Sequence, residues 1–233
     1  MLVSGRNNVK EILKNFEKNF GIKKVYLQEN FNELDILSLV KKRNLKIIYL
    51  EKDKMDALAK NNHQGVILET GDYNYVDIKD IILDKDTCKI VILDHLEDPH
   101  NLGAITRTVE ASGIDGIILP INRSVSVNET VMKTSVGALY NTKICQVTNL
   151  SNTIKYLKKN GFWIYGADMD GVDFHNTTFF DKSCLIIGNE GKGLQRIIKE
   201  ECDYIVSIPM YGKVNSLNAS VAAGILIYEM VKK

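Results

Sequence analysis

Cysteine is scarce in this chain and widely dispersed. The four residues Cys88, Cys145, Cys184 and Cys202 form no C-x-x-C pair. That spacing argues against a zinc site and a disulfide framework, and it suits a reducing compartment. Long apolar runs are also missing. No stretch reaches the roughly 18 apolar residues of a membrane span, so none is expected. The opening Met-Leu-Val-Ser-Gly-Arg has neither an apolar segment nor a cleavage signal, and the expected location is cytoplasmic. Net charge is nearly absent as well. Thirty Lys and Arg stand against 29 Asp and Glu, a balance of +1. A near-neutral chain weighs slightly against a nucleic-acid partner, because neutralising phosphates calls for a basic surface.

The average hides an asymmetry. Residues 1–75 carry 13 basic and 10 acidic side chains, a net of +3, while residues 76–233 carry 17 and 19, a net of −2. Hydrophobic residues make up 45% and charged residues 25% of the chain, the balance of an ordinary globular protein with enough apolar material for a core.

Two alternating series of strands and helices organise the sequence. In the first, Val9, Ile12, Leu13, Phe16 and Phe20 fall at helical spacing within 7–20, with Asn7 or Asn8 as N-cap. Strands follow at 24–28, 45–50 and 65–70, and helices at 33–44 and 53–61, which predicts a small α/β layer domain over 1–72. Residues 73–87 are polar and irregular and read as a linker. In the second series, over 88–233, strands are predicted at 89–94, 116–119, 143–147, 162–167, 184–188 and 204–208. Helices are predicted at 101–113, 127–138, 150–160, 193–201 and 217–232. The pattern is that of an open, mostly parallel sheet covered by helices on both faces.

Ligands of such sheets bind beyond the carboxyl ends of the strands, and three strand ends are rich in polar groups. The first is Asp94-His95-Leu96-Glu97-Asp98-Pro99-His100-Asn101, leading to Arg107. Its histidines and carboxylates match no metal-ligand spacing such as H-E-x-x-H, so no metal is expected. A plain reading is a helix opened by Asp98 or Asn101, with Pro99 in its first turn. On a 100° step, Arg107 lies about 600° of rotation beyond Asn101, so the two do not share a stripe. They converge only if Asn101 sits in the turn before the helix and Arg107 reaches back.

The second is Gly188-Asn189-Glu190-Gly191-Lys192-Gly193 after an apolar run. It is neither G-x-G-x-x-G nor G-x-x-x-x-G-K-[ST], which excludes the dinucleotide and P-loop fingerprints. Its glycines still permit close approach of backbone to a ligand, and a tight turn is the plain alternative. The third is Ile208-Pro209-Met210, then Asn215-Ser216-Leu217-Asn218-Ala219-Ser220. Ser216 or Asn218 serves as a cap for the last helix, and a cap needs one such residue where this stretch has four.

Taken in order, these three segments resemble the SpoU (TrmH-like) family of RNA ribose 2′-O-methyltransferases, within the SPOUT class. Asn101 and Arg107 match its first motif, 188–193 its G-x-E-G-x-G, and Ile208-Pro209-Met210 with Ser216-Leu217-Asn218-Ala219-Ser220 its third. The resemblance covers 88–233. Val3-Ser4-Gly5-Arg6-Asn7-Asn8-Val9 and His63-Gln64-Gly65-Val66 resemble the N-terminal domain of members that methylate a guanosine of large-subunit ribosomal RNA.

The resemblance implies an L30e-like RNA-binding domain with Arg6 and His63 toward the RNA, and a trefoil knot around 185–225. It also implies a homodimer with the site near the interface. S-adenosylmethionine is expected against Gly166, Ala167, Ile187, Gly188, Ile208, Met210 and Leu217, largely through backbone. The implied reaction is in-line attack of a ribose 2′-hydroxyl on the sulfonium methyl, with Asn101, Arg107, Glu190, Ser216 and Asn218 as catalytic candidates. Arg107 is the family's proposed base, but a guanidinium resists deprotonation; phosphate binding and alkoxide stabilisation suit it better. The rival readings are a tRNA ribose methyltransferase, an antibiotic-resistance rRNA methyltransferase, a non-catalytic RNA-binding protein and a nucleotide-dependent oxidoreductase. The absent dinucleotide fingerprint counts against the last of these.

Overall fold

The computed structural model describes residues 1–14, 21–59, 62–82 and 86–232. Phe16, Phe20 and the end of the helix predicted at 53–61 lie outside them. The chain forms two compact units, Met1–Asn74 with Val127–Asn141, and Tyr75–Ser126 with Thr142–Lys233.

The first unit runs β1 (Leu2–Ser4), α1 (Arg6–Lys14), β2 (Ile22–Gln28), α2 (Leu34–Lys42), β3 (Ile47–Leu50), α3 (Lys52–Leu58) and β4 (Val66–Thr70). Its sheet has the order β1-β4-β2-β3. The β2–β3 pair is parallel, and β4 is antiparallel to both neighbours. Val25, Leu27, Val66, Ile67 and Leu68 are fully buried, as are Val9, Leu13 and Val40 from the helices. α1 starts at Arg6, ahead of the predicted caps Asn7 and Asn8. The Gly5 carbonyl accepts the first bond, from Val9 N–H at 3.0 Å, and Asn8 Nδ2 turns back to Ser4 O at 3.3 Å. β1 was not predicted, because its three residues become a strand only by pairing with β4. The inserted segment carries the helix Glu129–Thr134 (α6 in chain order), shorter than the predicted 127–138. Asn128 caps it through Val131 N–H at 3.1 Å. Val136 and Gly137, at φ 48° and 88°, turn the chain away soon after it.

The second unit contains α4 (Ile78–Ile82), β5 (Cys88–Leu93), α5 (Pro99–Ser112), β6 (Gly116–Pro120), β7 (Ile144–Val147), α7 (Leu150–Lys159), β8 (Trp163–Asp173), β9 (Lys182–Ile187), α8 (Arg196–Glu200), β10 (Tyr204–Ser207) and α9 (Ala219–Val231). Its six strands are parallel and ordered β10-β8-β9-β5-β6-β7. The α/β class and the mostly parallel sheet agree with the sequence reading. Burial on both faces explains the unbroken apolar run of β5. Cys88, Ile90 and Ile92 point into a core with Ile81, Ile82, Ile154, Leu157 and Ile198 from α4, α7 and α8. By the two-residue alternation of a strand, Val91 and Leu93 point to the opposite face.

The linker expected at 73–87 is structured where it is described. Val76 bridges to Cys145, and α4 buries Ile81 and Ile82 in this unit's core. β8 outruns the predicted 162–167 because β10 pairs along it to Asp173, across a register shift. α8 begins three residues later than predicted, since Gly193 is held at φ 64° within a turn.

Candidate active site

Chain order splits this sheet between β5 and β9. From β5 the chain steps outward to β6 and β7, and β9, β8 and β10 lie on the other side. Such a switch point opens a crevice at the carboxyl ends of the strands, and the polar segments after β5 and β9 meet there.

The loop after β9 is closed by its own backbone. Asn189 N–H donates to Gly193 O at 3.1 Å, and Gly193 N–H donates to Asn189 O at 2.9 Å. Asn189 Oδ1 takes the Gly191 N–H at 2.9 Å. A Cβ at Gly188 would lie 2.3 Å from the Gly193 carbonyl carbon. Position 188 therefore has to be glycine for the loop to shut, and position 193 is glycine because its φ is positive.

The segment after β5 anchors this loop. Asp94 is fully buried. Its Oδ2 accepts from Gln195 N–H at 3.0 Å, and its Oδ1 lies 2.5 Å from His95 Nδ1. His95 holds a left-handed backbone at φ 56°, and its carbonyl accepts from Asn189 Nδ2 at 2.9 Å. Buried carboxylates are stable when such donors satisfy them. Asp94, His95, Asn189 and Gln195 were not among the sequence candidates. Asn189 sits at a variable position of its motif, and the bonds that tie Asp94 and His95 to the loop after β9 span about a hundred residues.

At the start of α5, Asp98 is the cap, accepting from His100 N–H at 2.8 Å, and Pro99 is the first helical residue. Asn101 is therefore inside the helix rather than in the turn before it. It is buried, and its Nδ2 donates to Glu190 Oε1 at 2.6 Å. Arg107, further along α5, is exposed and faces away from Asn101, as the rotation argument requires. The geometry brings Asn101 to Glu190 and does not bring Arg107 to either.

Three segments enclose a cavity of about 350 Å³: 167–169, 187–193 and 206–217, with α9 closing one side. Of the predicted cofactor positions, Ala167, Ile187, Gly188, Ile208, Met210 and Leu217 line it. Gly166 lies one residue deeper in β8, where a Cβ would meet Cys202 Sγ at 2.8 Å and Leu194; it admits core packing rather than lining the cavity. Glu190 and Ser216 are on the wall, whereas Asn218 is not. Asn218 caps α9, its Oδ1 accepting from Ser220 N–H at 2.9 Å and Ser220 Oγ at 2.6 Å, so the helix starts at Ala219 instead of 217. The lining also includes Asp168, Val206, Ala222 and Leu226. Lys199 bridges Asp168 and Asp170 at 3.0 and 3.2 Å, and the Asp168 hydrogen bond, more than any other influence, raises the Lys199 pKa.

Apolar walls, exposed backbone and two carboxylates suit a ligand with a flat apolar part and a positive centre. Among the described residues no group of three or more His, Cys, Asp or Glu could hold a metal ion. Burial pushes the thiols of Cys184 and Cys202 up, Cys202 to about 12, so neither offers a thiolate nucleophile near neutral pH.

In the first unit, His63 is buried. Its Nδ1 accepts from Gly65 N–H at 2.9 Å, which leaves Nε2 to carry the proton toward Asp56 Oδ1, also at 2.9 Å. Arg6 donates from Nε to Gln64 O at 3.2 Å and from its terminal nitrogen to Glu33 at 2.5 Å.

Comparison with known proteins agrees with this architecture. Residues 89–228 match the SpoU rRNA Methylase family, and residues 2–76 match the RNA 2′-O ribose methyltransferase substrate binding family. A Staphylococcus haemolyticus protein named for the TrmH family of tRNA/rRNA methyltransferases is 42% identical, covering 100% of this chain and 96% of its own. YacO of Bacillus subtilis, named for the same family, is 40% identical over 99% of this chain and 95% of its own. The crystal structure of the SpoU methyltransferase AviRb from Streptomyces viridochromogenes, in complex with the cofactor AdoMet, shares the fold. Its TM-score is 0.84 at 23% identity, over 99% of this chain and 89% of that one. A chain matched in this way along its whole length, with the loop and strand ends described above, belongs to the SpoU/TrmH family of RNA methyltransferases and is an enzyme.

Proposed function

We propose that this enzyme transfers a methyl group from S-adenosylmethionine to a ribose 2′-hydroxyl of RNA, at a guanosine of large-subunit ribosomal RNA. The observation that carries this reading is the cavity formed by 167–169, 187–193 and 206–217 beside the Asn101–Glu190 hydrogen bond. The cavity fits the donor: Ile187, Val206, Ile208, Leu217 and Leu226 suit an adenine, and Asp168 and Glu190 suit cationic groups. The AviRb structure, of the same fold, carries this cofactor. Bound there, it supplies a methyl already activated on a sulfonium, so the protein's task is positioning and proton removal.

Each candidate then has a task. Asn101 holds Glu190 at the rim, and Ser216 presents a hydroxyl to the ribose. Asn218 fixes the start of α9 and with it the wall at Leu217. Arg107 binds substrate phosphate and stabilises the developing alkoxide. It does so in a homodimer, for which the exposed Val221 and Tyr228 on the apolar helix α9 offer a face. The segment 185–225 forms a trefoil knot, and residues 1–72 are the L30e-like substrate-binding domain. The test is methyl transfer from labelled donor to ribosomal RNA, followed by mapping of ribose methylation with and without the gene. Transfer to tRNA instead, or no changed rRNA position, refutes the rRNA assignment. Near-normal turnover by Arg107→Lys refutes a bidentate phosphate clamp.

A further inference from the structure

A second cavity lies wholly within the first unit, and its volume is about 460 Å³. Its chemistry is unlike that of the cavity in the second unit. Among the described residues, five carboxamides line it, from Gln28, Asn30, Asn32, Asn62 and Gln64, around the ring of Phe31. Arg6 places its guanidinium 5.8 Å from the centre of that ring.

The walls are built in advance of any ligand. Gln64 Oε1 accepts from Arg6 N–H at 2.8 Å, and Asn62 Oδ1 accepts from Gln64 N–H at 3.3 Å. Both amides thus have their oxygens engaged and their NH₂ groups left to donate. Gln64 and Gly65 hold left-handed backbones at φ 53° and 81°. A Cβ at Gly65 would come within 3.0 Å of Phe31 Cδ2, so glycine there lets the ring close on the loop. Beneath them, His63 ties Gly65 N–H to Asp56 with both ring nitrogens.

An aromatic ring with a guanidinium 5.8 Å from its centre, edged by carboxamides of which Asn62 and Gln64 are held with their NH₂ groups free to donate, offers what an unstacked nucleobase needs. We propose that this pocket holds one unpaired base of the RNA substrate. The base stacks on the Phe31–Arg6 platform and its edge is read by the carboxamides of Gln28, Asn30 and Gln64. Lys52, on the same wall, meets the adjoining phosphate. His63 is a positioning residue that holds the loop in shape and does not touch the RNA. The inference rests on the RNA reading above and deepens it.

The test is binding of a fluorescein-labelled single-stranded RNA of about 12 nucleotides, a length within the site sizes of single-strand binders, to the full chain, followed by anisotropy. The same RNA annealed to its complement, and free GMP and AMP, serve as competitors. Phe31→Ala weakens single-strand binding about ten-fold; Phe31→Tyr restores it. The duplex and the mononucleotides compete poorly, and titration of S-adenosylmethionine gives the same affinity in all three proteins. If Phe31→Ala does not fold, Asn30→Ala on the exposed loop takes its place, with a smaller loss of the same kind. Wild-type affinity in a folded variant overturns the pocket, as does equally tight binding of the duplex. Displacement of the RNA by a free mononucleotide at comparable concentration makes it a metabolite site instead and also overturns it. If the wild-type chain binds neither this RNA nor a folded rRNA fragment, the RNA reading itself fails, which is a different result.

Discussion

Asn101 on α5 and Glu190 on the loop after β9 meet through a 2.6 Å hydrogen bond across 89 residues of chain. Asn101 is almost fully buried while Glu190 is exposed at the rim, so a buried donor holds an exposed acceptor. The bond sets where the rim of the cavity stands relative to α5.

Removing the buried partner frees the rim. Asn101→Ala lowers kcat about 10- to 100-fold, the range expected when a reacting geometry is displaced by about an ångström. Glu190→Gln keeps an acceptor oxygen for Asn101 and is the milder change. Steady-state kinetics on both variants decides the matter: equal losses show that charge at Glu190, rather than the link, is what counts.

Gly188 allows no side chain. An added Cβ meets the Gly193 carbonyl carbon at 2.3 Å, and the obstacle is backbone. Gly188→Ala costs about 1–3 kcal/mol of stability, as overpacking does, and abolishes measurable S-adenosylmethionine binding in calorimetry. Gly224→Ala, whose added Cβ meets nothing within 4 Å and which is not on the cavity wall, serves as the control and binds normally.

The buried thiols make the fold sensitive to alkali. Burial pushes Cys145 to about 11 and Cys202 to about 12, and raises Cys184 well above the ordinary thiol value. In the unfolded chain these thiols ionise near 9.0. Their folded values are raised, so the unfolded state loses protons first. Stability is complete below pH 9 and falls as the pH climbs toward the folded values. Urea midpoints measured from pH about 8 to about 11 decline, and Cys202→Ala declines less steeply.

Part of this fold was legible because β5, β6 and β9 are buried on both faces. Ile90-Val91-Ile92-Leu93 could hardly be anything but an interior parallel strand. Asp98-Pro99 was one of two local openings for α5, Asn101 the other, and the helix expected from 101 starts instead at Pro99. What escaped was non-local. β1 exists through its partner β4, and α4 through the core it joins. The site divides in the same way. The glycines of 188–193 and most of the cavity wall could be read from motif order. The Asp94–Gln195 and Asn189–His95 bonds could not, because nothing near either residue in sequence requires the other.

Ser183 offers a different kind of test. Its Oγ is fully buried in β9 and, among the described residues, finds no hydrogen-bond partner. Leaving a hydroxyl unsatisfied destabilises a fold by about 1–3 kcal/mol. Ser183→Ala therefore raises the unfolding free energy, by about 1 kcal/mol in denaturant titration. A loss of stability refutes the absence of a partner.

The cavity of the second unit also fixes an order of events during synthesis. Its walls begin at Ala167 and are finished by Leu226 on α9. A chain made from its amino end has the sheet of its first unit and the strands β5, β6 and β7 available well before this chamber can close. Ligand stabilises only molecules able to bind it. With the methyl donor in this cavity, as proposed, occupancy reports that α9 is in place, and a chain stalled before that helix draws no protection from the donor, however abundant it is in the cell.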